Sequence, residues 1–427
     1  MNMNMNMKII VTGGGWAGCS AAYMARKQGA KVVLLERTDS LLGTGLVGGI
    51  MRNNGRFTAT EELIAMGGGE IFKIIDQNCR HTNISFPGHE HASLYDIAKT
   101  PVAITNYLLE IGVEVKFIER VVKAHVTDGA IQSIETASGN VYEGDAFIDT
   151  TGTAGPMNNC IKYGNGCAMC IIRCPSYGGR VSLTGICGTS EITGKKADDS
   201  IGAMSGSCKL YKESLSPEIV EALNTKGVAV IPIPKELIEN HLSAKACQQY
   251  ALKEFSENMV LLDTGHAKLM TPFYSLEKLH KIPGFENARY EDPYAGGKGN
   301  SMRFFDMAPR TNALQVIGLK NLFCAGEKAG LLVGHTEAIV TGVLAGYNAT
   351  RHISNMPLLE ISRKTAFGEA VAYVNEEMQT EEGLGKKYTF SGSVLFEHMK
   401  KLNLYETDVN RIQENIKNEG LWNVFAC

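Results

Sequence analysis

Residues 7–36 read MKIIVTGGGWAGCSAAYMARKQGAKVVLLE. The apolar run 7–12 predicts a strand, the alanine-rich run 19–29 predicts a helix, and the run 31–35 predicts a second strand. The turn between the first strand and the helix has the spacing G-x-G-x-x-G, at Gly13, Gly15 and Gly18. Strand, glycine turn, helix and strand in this order predict a Rossmann-like unit that binds a dinucleotide.

The three glycines and the acid that follows the second strand each have a physical task in such a unit. Gly13 permits the tight turn, Gly15 lets the backbone approach a pyrophosphate, and Gly18 lets the helix lie close to the strand. The helix N-terminus presents free N–H groups and the positive end of its dipole to the phosphates. Glu36 accepts hydrogen bonds from a ribose diol, so we expect a dinucleotide with an unphosphorylated ribose.

Two features downstream of this unit can be interpreted from pattern alone. A second glycine-rich loop, residues 41–49, would let the backbone pass close to a bound cofactor. Asp128 and Gly129 lie between the alternating runs 121–126 and 131–136, which is a strong hairpin signal.

Three later segments have the character of strand ends and helix starts. AFIDTTGT, at residues 146–153, is an apolar run that stops at small polar residues, and NLFCAGE, at 321–327, stops at a glycine. GHTE, at residues 334–337, is followed by AIVTGVLAGYNA, at 338–349, which predicts a helix of small residues.

In order and spacing, these segments resemble the glutathione-reductase-like FAD-dependent oxidoreductases over residues 7–155 and 313–350. The closing stretch LFCAGEKAGLLVGHTEAIVTGVLAGYNA, residues 322–349, looks most like the tRNA-modifying flavoproteins of the GidA/TrmFO group. The runs 365–368 and 372–374 are also similar to the C-terminal region of the folate- and FAD-dependent uridine methyltransferases. The resemblance implies that the dinucleotide is FAD.

The fingerprint and the resemblance together predict a set of FAD contacts. The helix that starts near Thr336 would aim its positive end at the pyrimidine end of the flavin, with Thr336 as a cap. The expected contacts are Gly13, Gly15, Trp16, Ala17, Gly18, Glu36, Arg37, Gly43, Val122, Thr151, Gly152, Gly326, Glu327, Gly334, Thr336 and Glu337.

Four polar residues are candidates for catalysis. His335 and Glu337 would touch substrate or flavin, although helix capping and first-turn polarity explain both equally well. His266 and Arg310 are two further candidates that could line a pocket, against ordinary surface roles.

The cysteines are concentrated in one stretch. Cys167, Cys170 and Cys174, followed by Pro175, have the spacing C-x2-C-x3-C-P of the latter half of a bacterial ferredoxin motif. We expect a [4Fe–4S] cluster with Cys160 as the fourth ligand; Cys187 and Cys208 are alternative fourth ligands. A structural zinc site and redox-active thiols near the flavin are the competing interpretations. The cysteines also depart from the methyltransferase-like relatives, which are not iron–sulfur proteins.

Composition limits the partners. The 427 residues carry a net charge of −3, and 44% of them are hydrophobic, so the chain can bury a large interior and has no overall basic character that favours nucleic acid. Composition does not exclude a local basic patch that binds nucleic acid, and it does not exclude a homo-oligomer. The sequence has no apolar run long enough to cross a membrane and no secretory signal, so we expect a cytoplasmic protein with a small-molecule substrate or a redox protein partner.

The segments predict an α/β fold with a Rossmann-like FAD-binding domain, an inserted α+β substrate domain and a helical C-terminal region. The expected divisions are 1–155 and 313–350 for the FAD-binding domain, 156–312 for the insertion and 351–427 for the C-terminal region.

The expected function is that of an FAD-dependent oxidoreductase that passes electrons between flavin, cluster and an unidentified substrate or partner. Two alternatives stay open: a folate- and FAD-dependent RNA uridine methyltransferase, and a non-catalytic electron-transfer flavoprotein subunit.

Overall fold

A computed structural model describes residues 7–153, 176–195, 207–240, 242, 250–271, 274–291 and 305–426, together with the backbone of 203–205 and 301–303. Its α-helices are Trp16–Lys27, Gly55–Ala65, Glu70–Gln77, Lys99–Glu110, Leu183–Ile186, Pro217–Lys226, Glu254–Glu257, Leu276–Leu279, His335–Ile353, Ala366–Glu377, Glu381–Leu384, Ser393–Lys401 and Val409–Asn418. In the described ranges no helix is both long enough and apolar enough to span a bilayer.

Five parallel strands form the central sheet of the described chain. Ile9, Ile10 and Val11 on the middle strand are fully buried, as expected of a parallel sheet that is covered on both faces. Because the strands are parallel, their carboxyl ends meet at one edge of the sheet. In spatial order the strands are Leu322–Cys324, Ala146–Asp149, Lys8–Thr12, Lys31–Leu35 and Glu114–Lys116.

The helix that follows the first strand packs closely on the long helix His335–Ile353. A Cβ atom added to Gly342 would lie 2.4 Å from the carbonyl oxygen of Ala17, and one added to Gly346 would lie 2.3 Å from the carbonyl oxygen of Ala21. Real Cβ atoms do not approach a carbonyl oxygen so closely. Glycine at these two positions is therefore what allows the helices to come together.

The hairpin predicted at Asp128-Gly129 is confirmed. The strands Val121–Thr127 and Ala130–Thr136 pair antiparallel, and Val141–Glu143 adds a third strand. Asp128 has φ 51° and Gly129 has φ 74°, both in the left-handed region that a two-residue hairpin turn of type I′ requires.

The middle of the chain has a sheet and a core of its own. Four antiparallel strands lie in the order Cys208–Leu210, Ala267–Leu269, Asn258–Asp263 and Val228–Pro232. Leu210, Leu223, Leu261 and Phe285 are among the fully buried residues of the core that this sheet shares with the helix Pro217–Lys226.

A second antiparallel sheet connects this middle region to the Rossmann-like part. Its strands are Ile50–Met51, His89–Tyr95 and Cys79–Phe86. Ile50 and Leu94 share a small apolar core with Val260 and Leu262 of the four-stranded sheet. Shorter strands pair as Ile192–Thr193 with Asp306–Met307 and Ala203–Ser205 with Ser301–Arg303.

The C-terminal region is helical, as predicted, and it docks on the Rossmann-like part through a buried carboxylate. Glu62 accepts hydrogen bonds from the backbone N–H groups of Ala366 and Phe367, at 2.8 and 2.9 Å, and so satisfies the N-terminus of the helix Ala366–Glu377. Thr365 caps the same helix. Burial raises the pKa of Glu62 to about 7.

The structure therefore confirms the predicted α/β fold with a helical C-terminal region. The domain limits 1–155, 156–312, 313–350 and 351–427 stay predictions, and the first limit lies outside the described residues.

We expect Gly346→Ala to lower the melting temperature, because the new methyl group collides with a backbone carbonyl that cannot move away without separating the two helices. Overpacking of this kind costs about 1–3 kcal/mol of unfolding free energy. Gly385→Ala is the matched control, since a Cβ there would meet its nearest atom at 3.4 Å, an ordinary contact. Equal urea midpoints for the two variants would contradict the assigned helix contact.

Candidate dinucleotide site

A cleft lies at the carboxyl edge of the parallel sheet, where open α/β sheets bind ligands. Its walls come from segments that are far apart in the sequence and meet only because the strands are parallel. The residues that line it are Thr12, Gly13, Gly15, Trp16, Ala17, Leu35, Glu36, Arg37, Thr38, Gly43, Thr44, Glu119, Arg120, Val121, Thr150, Thr151, Gly152, Arg180, Val181, Ala325, Gly326, Glu327, Gly334, His335 and Ala338.

The three fingerprint glycines have different surroundings. Gly13 has φ 103°, and a Cβ there would lie 2.6 Å from the carbonyl oxygen of Thr150. A Cβ on Gly18 would lie 1.8 Å from the carbonyl oxygen of Gly13, so the helix can rest on the strand end only with glycine here. A Cβ on Gly15 would meet nothing within 4 Å, because this glycine faces the open cleft.

Glu36 lies at the end of the second strand and lines the cleft. Its Oε2 accepts from the backbone N–H of Gly14 at 2.7 Å, and its Oε1 accepts from the N–H and the hydroxyl of Thr38 at 2.8 and 2.9 Å. These bonds orient the carboxylate. A carboxylate fixed at this position is what recognition of a ribose diol requires.

Two helix N-termini face the cleft. The helix Trp16–Lys27 begins after Gly15, and the helix His335–Ile353 begins after Gly334. The positive ends of both helix dipoles therefore point toward the same space, which favours an anionic ligand such as a pyrophosphate.

The predicted capping role of Thr336 is wrong. The N-cap of the long helix is Gly334, and Thr336 is fully buried in the first turn, with its hydroxyl against the sulfur of Met51. The N-cap lies two residues before the predicted one, at Gly334, whose φ of 151° is a conformation that glycine adopts easily.

Glu337 lies beneath the cleft instead of lining it. Its carboxylate is fully buried and pairs with Arg56, whose Nε lies 3.2 Å from both oxygens. The hydroxyl of Thr389 and the backbone N–H of Phe390 also donate to it, at 2.7 and 2.8 Å. The carboxylate thus joins the long helix to the C-terminal region, and its predicted contact with the flavin or substrate has no support from this geometry.

His335 is the catalytic candidate that the structure places at the cleft. The centroid of its ring lies 6.1 Å from that of Trp16 and 6.2 Å from that of Tyr95. A Cβ on Gly48 would lie 1.7 Å from the His335 ring, so the second glycine-rich loop passes directly against the imidazole.

Arg310 and His266 lie outside the cleft lining. The buried guanidinium of Arg310 donates to the carbonyl oxygens of Ala329, Thr311 and Val371, which is a structural role. His266 is buried in the inserted sheet, with Nδ1 3.3 Å from Glu291, and burial lowers its pKa well below the usual value. Neither position gives catalysis any support.

Twelve of the sixteen predicted FAD contacts line the cleft; Gly18, Val122, Thr336 and Glu337 do not. The side chain of Val122 is 40% exposed, while its neighbour Val121 lines the cleft, because successive residues of a strand point to opposite faces. Gly18 instead makes the helix–strand contact predicted for it.

Sequence reasoning missed several lining residues because they belong to segments without a motif. Arg180 and Val181 reach the cleft from the inserted region, and Glu119 and Arg120 from the approach to the hairpin. Arg37, which was predicted, donates to the carbonyl oxygen of Gly178 at 2.7 Å and so holds the inserted segment over the cleft. For Glu119 and Arg120, the one signal in the sequence was their charge, just before the alternating strand Val121–Thr127.

The cysteine prediction is not supported. Cys160, Cys167, Cys170 and Cys174 lie outside the described residues. Within the part of the chain that the structure describes, no group of three or more histidine, cysteine, aspartate or glutamate side chains could hold a metal ion.

Of the alternatives for the fourth ligand, Cys208 is buried and Cys187 is half-buried. Cys208 lies in the core of the inserted sheet and donates to the carbonyl oxygen of Thr271. Burial raises the pKa of Cys187 to about 12.

With the cleft established, comparison with known proteins identifies the family. The sequence model of the family described as glucose inhibited division protein A matches residues 8–275 and 264–357. The chain belongs to this family. Members bind FAD, so the FAD prediction is confirmed at the level of the family.

Two relatives illustrate the similarity. The tRNA uridine 5-carboxymethylaminomethyl modification enzyme MnmG of Chlorobium phaeovibrioides (strain DSM 265 / 1930) is 23% identical over 430 residues, which covers 88% of this chain and 67% of that protein. The enzyme of the same name from Metamycoplasma arthritidis (strain 158L3-1) is 31% identical over 116 residues, 27% of this chain and 18% of that protein. The chain thus matches about two thirds of the first relative's length and less than a fifth of the second's.

The fold is similar to that of a solved member. One structure of Aquifex aeolicus GidA superposes with a TM-score of 0.65 at 17% identity, covering 97% of this chain and 74% of the other. A second crystal form of the same protein gives a TM-score of 0.63 at 15% identity.

We expect Gly15→Ala to weaken FAD binding without unfolding the protein, because its Cβ would occupy the cleft and meet no protein atom. Loss of one charge-assisted hydrogen bond to a phosphate corresponds to about a tenfold or larger rise in the dissociation constant. Gly18→Ala is the contrasting variant, which should lower the melting temperature because its Cβ collides with the Gly13 carbonyl. The measurements are flavin fluorescence titration and thermal melting. Equal FAD affinity in Gly15→Ala and the unmodified protein would exclude the predicted pyrophosphate position.

Proposed function

We propose that this chain is an FAD-dependent enzyme that acts in the modification of uridine in tRNA. The observation that carries the proposal is the dinucleotide cleft, whose lining residues all lie in the stretch that matches the family, residues 8–357. The names of two relatives supply the tRNA uridine substrate. Both matches leave a third or more of the relatives' lengths uncovered, so the substrate belongs to the proposal.

The residues fit an FAD molecule laid across the sheet edge. Glu36 would hold the adenylate ribose, and the backbone at Gly13 and Gly15 would hold the pyrophosphate, where the open space beside Gly15 forms a cradle. The ring would lie beyond, toward the second glycine-rich loop and His335. When bound, FAD supplies two-electron chemistry at its ring.

The protein's own groups would orient the cofactor and exclude water. The N-terminus of the helix His335–Ile353 directs a partial positive charge at the ring end, which favours negative charge there by about 0.3–1 kcal/mol, or more when buried. His335 lines this end of the cleft, and its ring packs between the second glycine-rich loop and the rings of Trp16 and Tyr95.

The methyltransferase alternative requires a cysteine that attacks the pyrimidine. Burial raises the pKa of Cys79, Cys187 and Cys324 to about 12, so these three described thiols are poorly suited to nucleophilic attack. We therefore favour a modification reaction in which none of these thiols attacks the base. The cytoplasmic location and the choice of partner stay predictions.

The proposal is tested by deleting the gene and digesting total tRNA to nucleosides for mass spectrometry. We expect a modified uridine to disappear, to return with the unmodified gene, and to return to a lower level with Gly15→Ala, whose Cβ would occupy the cofactor cradle. Gly385→Ala is the matched control and should restore the nucleoside. A purified protein that contains FAD, combined with an unchanged set of tRNA nucleosides, would leave an FAD-dependent oxidoreductase with a different substrate.

As a second candidate feature, the spacing of Cys167, Cys170 and Cys174 favours an iron–sulfur cluster, which these cysteines would hold and which would supply single-electron chemistry. Protein purified without oxygen should then contain about four irons and four acid-labile sulfides per chain. Cys170→Ser should lose them and retain FAD. Zinc in place of iron, or flavin with neither metal, would exclude the relay.

A further inference from the structure

Lys268 is a buried amine that the cleft described above does not include. It lies on the strand Ala267–Leu269 of the inserted sheet and is 5% exposed. Its Nζ donates to the carbonyl oxygen of Val47 at 2.6 Å and to the hydroxyl of Ser207 at 2.6 Å. One amine thus ties the inserted sheet to the second glycine-rich loop, residues 41–49.

The end of this loop that Lys268 contacts is held tightly from two sides. A Cβ on Gly49 would lie 2.2 Å from Cγ2 of Thr264 in the inserted region, and Gly48 lies directly against the ring of His335. The other end of the same loop lines the cleft. A change in the position of Val47 would therefore move the wall of the cleft.

The environment of the amine is unfavourable for a lysine that only fills space. Among the described residues Lys268 makes no ion pair, and Lys209 lies opposite it on the neighbouring strand. Burial, reinforced by Lys209, lowers the pKa of Lys268 to about 7. A buried amine without a carboxylate is costly, and such groups are concentrated at functional sites.

A neutral hydroxyl or amide would hold the Val47 carbonyl at lower cost, so the charge itself needs an explanation. Because the pKa of Lys268 is about 7, the additional negative charge of a reduced flavin at the ring end of the cleft would favour the protonated amine. The protonated amine would in turn favour the reduced flavin over the oxidised form. Charge near the ring is one of the ways in which a protein adjusts the electronics of a flavin.

We propose that Lys268 is a positioning residue for the flavin, which fixes the loop 41–49 through Val47 and places a cation behind the ring end of the cleft. The inference rests on the proposed FAD function.

The test compares three variants of the full chain loaded with FAD. Lys268→Met removes the amine and retains an unbranched apolar stem, while Lys268→Arg retains the charge and the donors. Ser207→Ala removes the other acceptor and leaves the contact with Val47. The measurement is the ratio of reduced to oxidised flavin at a fixed ambient potential set by a reference dye.

We expect the ratio to fall severalfold in Lys268→Met and to stay close to that of the unmodified protein in the other two variants. An unchanged ratio in Lys268→Met with FAD bound would overturn the inference, as would an equal loss in Lys268→Arg, which would indicate packing alone. If Lys268→Met does not fold, Lys268→Gln, which retains a donor and loses the charge, takes its place under the same criterion. Absence of FAD from the unmodified protein would overturn the proposed function itself.

Discussion

Close backbone contact around the helix Trp16–Lys27 is the constraint on which the rest of the site depends. On one side Gly18 rests on the carbonyl of Gly13, and on the other side Gly342 and Gly346 rest on carbonyls of the same helix. These contacts bring two helix N-termini to one cleft at the sheet edge. A side chain at any of the three glycines would separate the layers and carry the positive helix ends away from the anion that they would bind.

Buried carboxylates hold the surrounding segments in register. Asp149 is fully buried and accepts bonds from the backbone N–H and hydroxyl of both Thr151 and Thr184, so it orders the loop after its own strand and joins it to the inserted region. Glu62 and Glu337 do the same for the C-terminal region. A buried acceptor is satisfied only when several donors converge on it, which makes these contacts specific as well as stabilising.

This use of carboxylates explains why the catalytic candidates were the weakest part of the sequence interpretation. Glu337 follows a glycine at a helix start, where an acid equally suits a ligand contact or a structural bond, and only its contact with Arg56 from a distant helix shows which one is present. In the sequence, Arg310 equally suits a ligand contact or a structural bond. Only the structure shows that its guanidinium donates to three backbone carbonyl oxygens. Lys268 had no motif at all, and its link to Val47 joins residues 221 positions apart.

The sequence by itself determined the Rossmann-like unit, the hairpin at Asp128-Gly129 and the helical C-terminal region. These depend on local rules: glycine spacing, alternation of apolar residues and turn chemistry, all readable within about 30 residues. Only the tertiary structure decided the strand pairing of the inserted sheet, the presence of Arg120 and Arg180 at the cleft, and the burial of Glu337. Each of these depends on partners from distant segments, and burial and charge pairing follow from which segments meet in space, which no local pattern encodes.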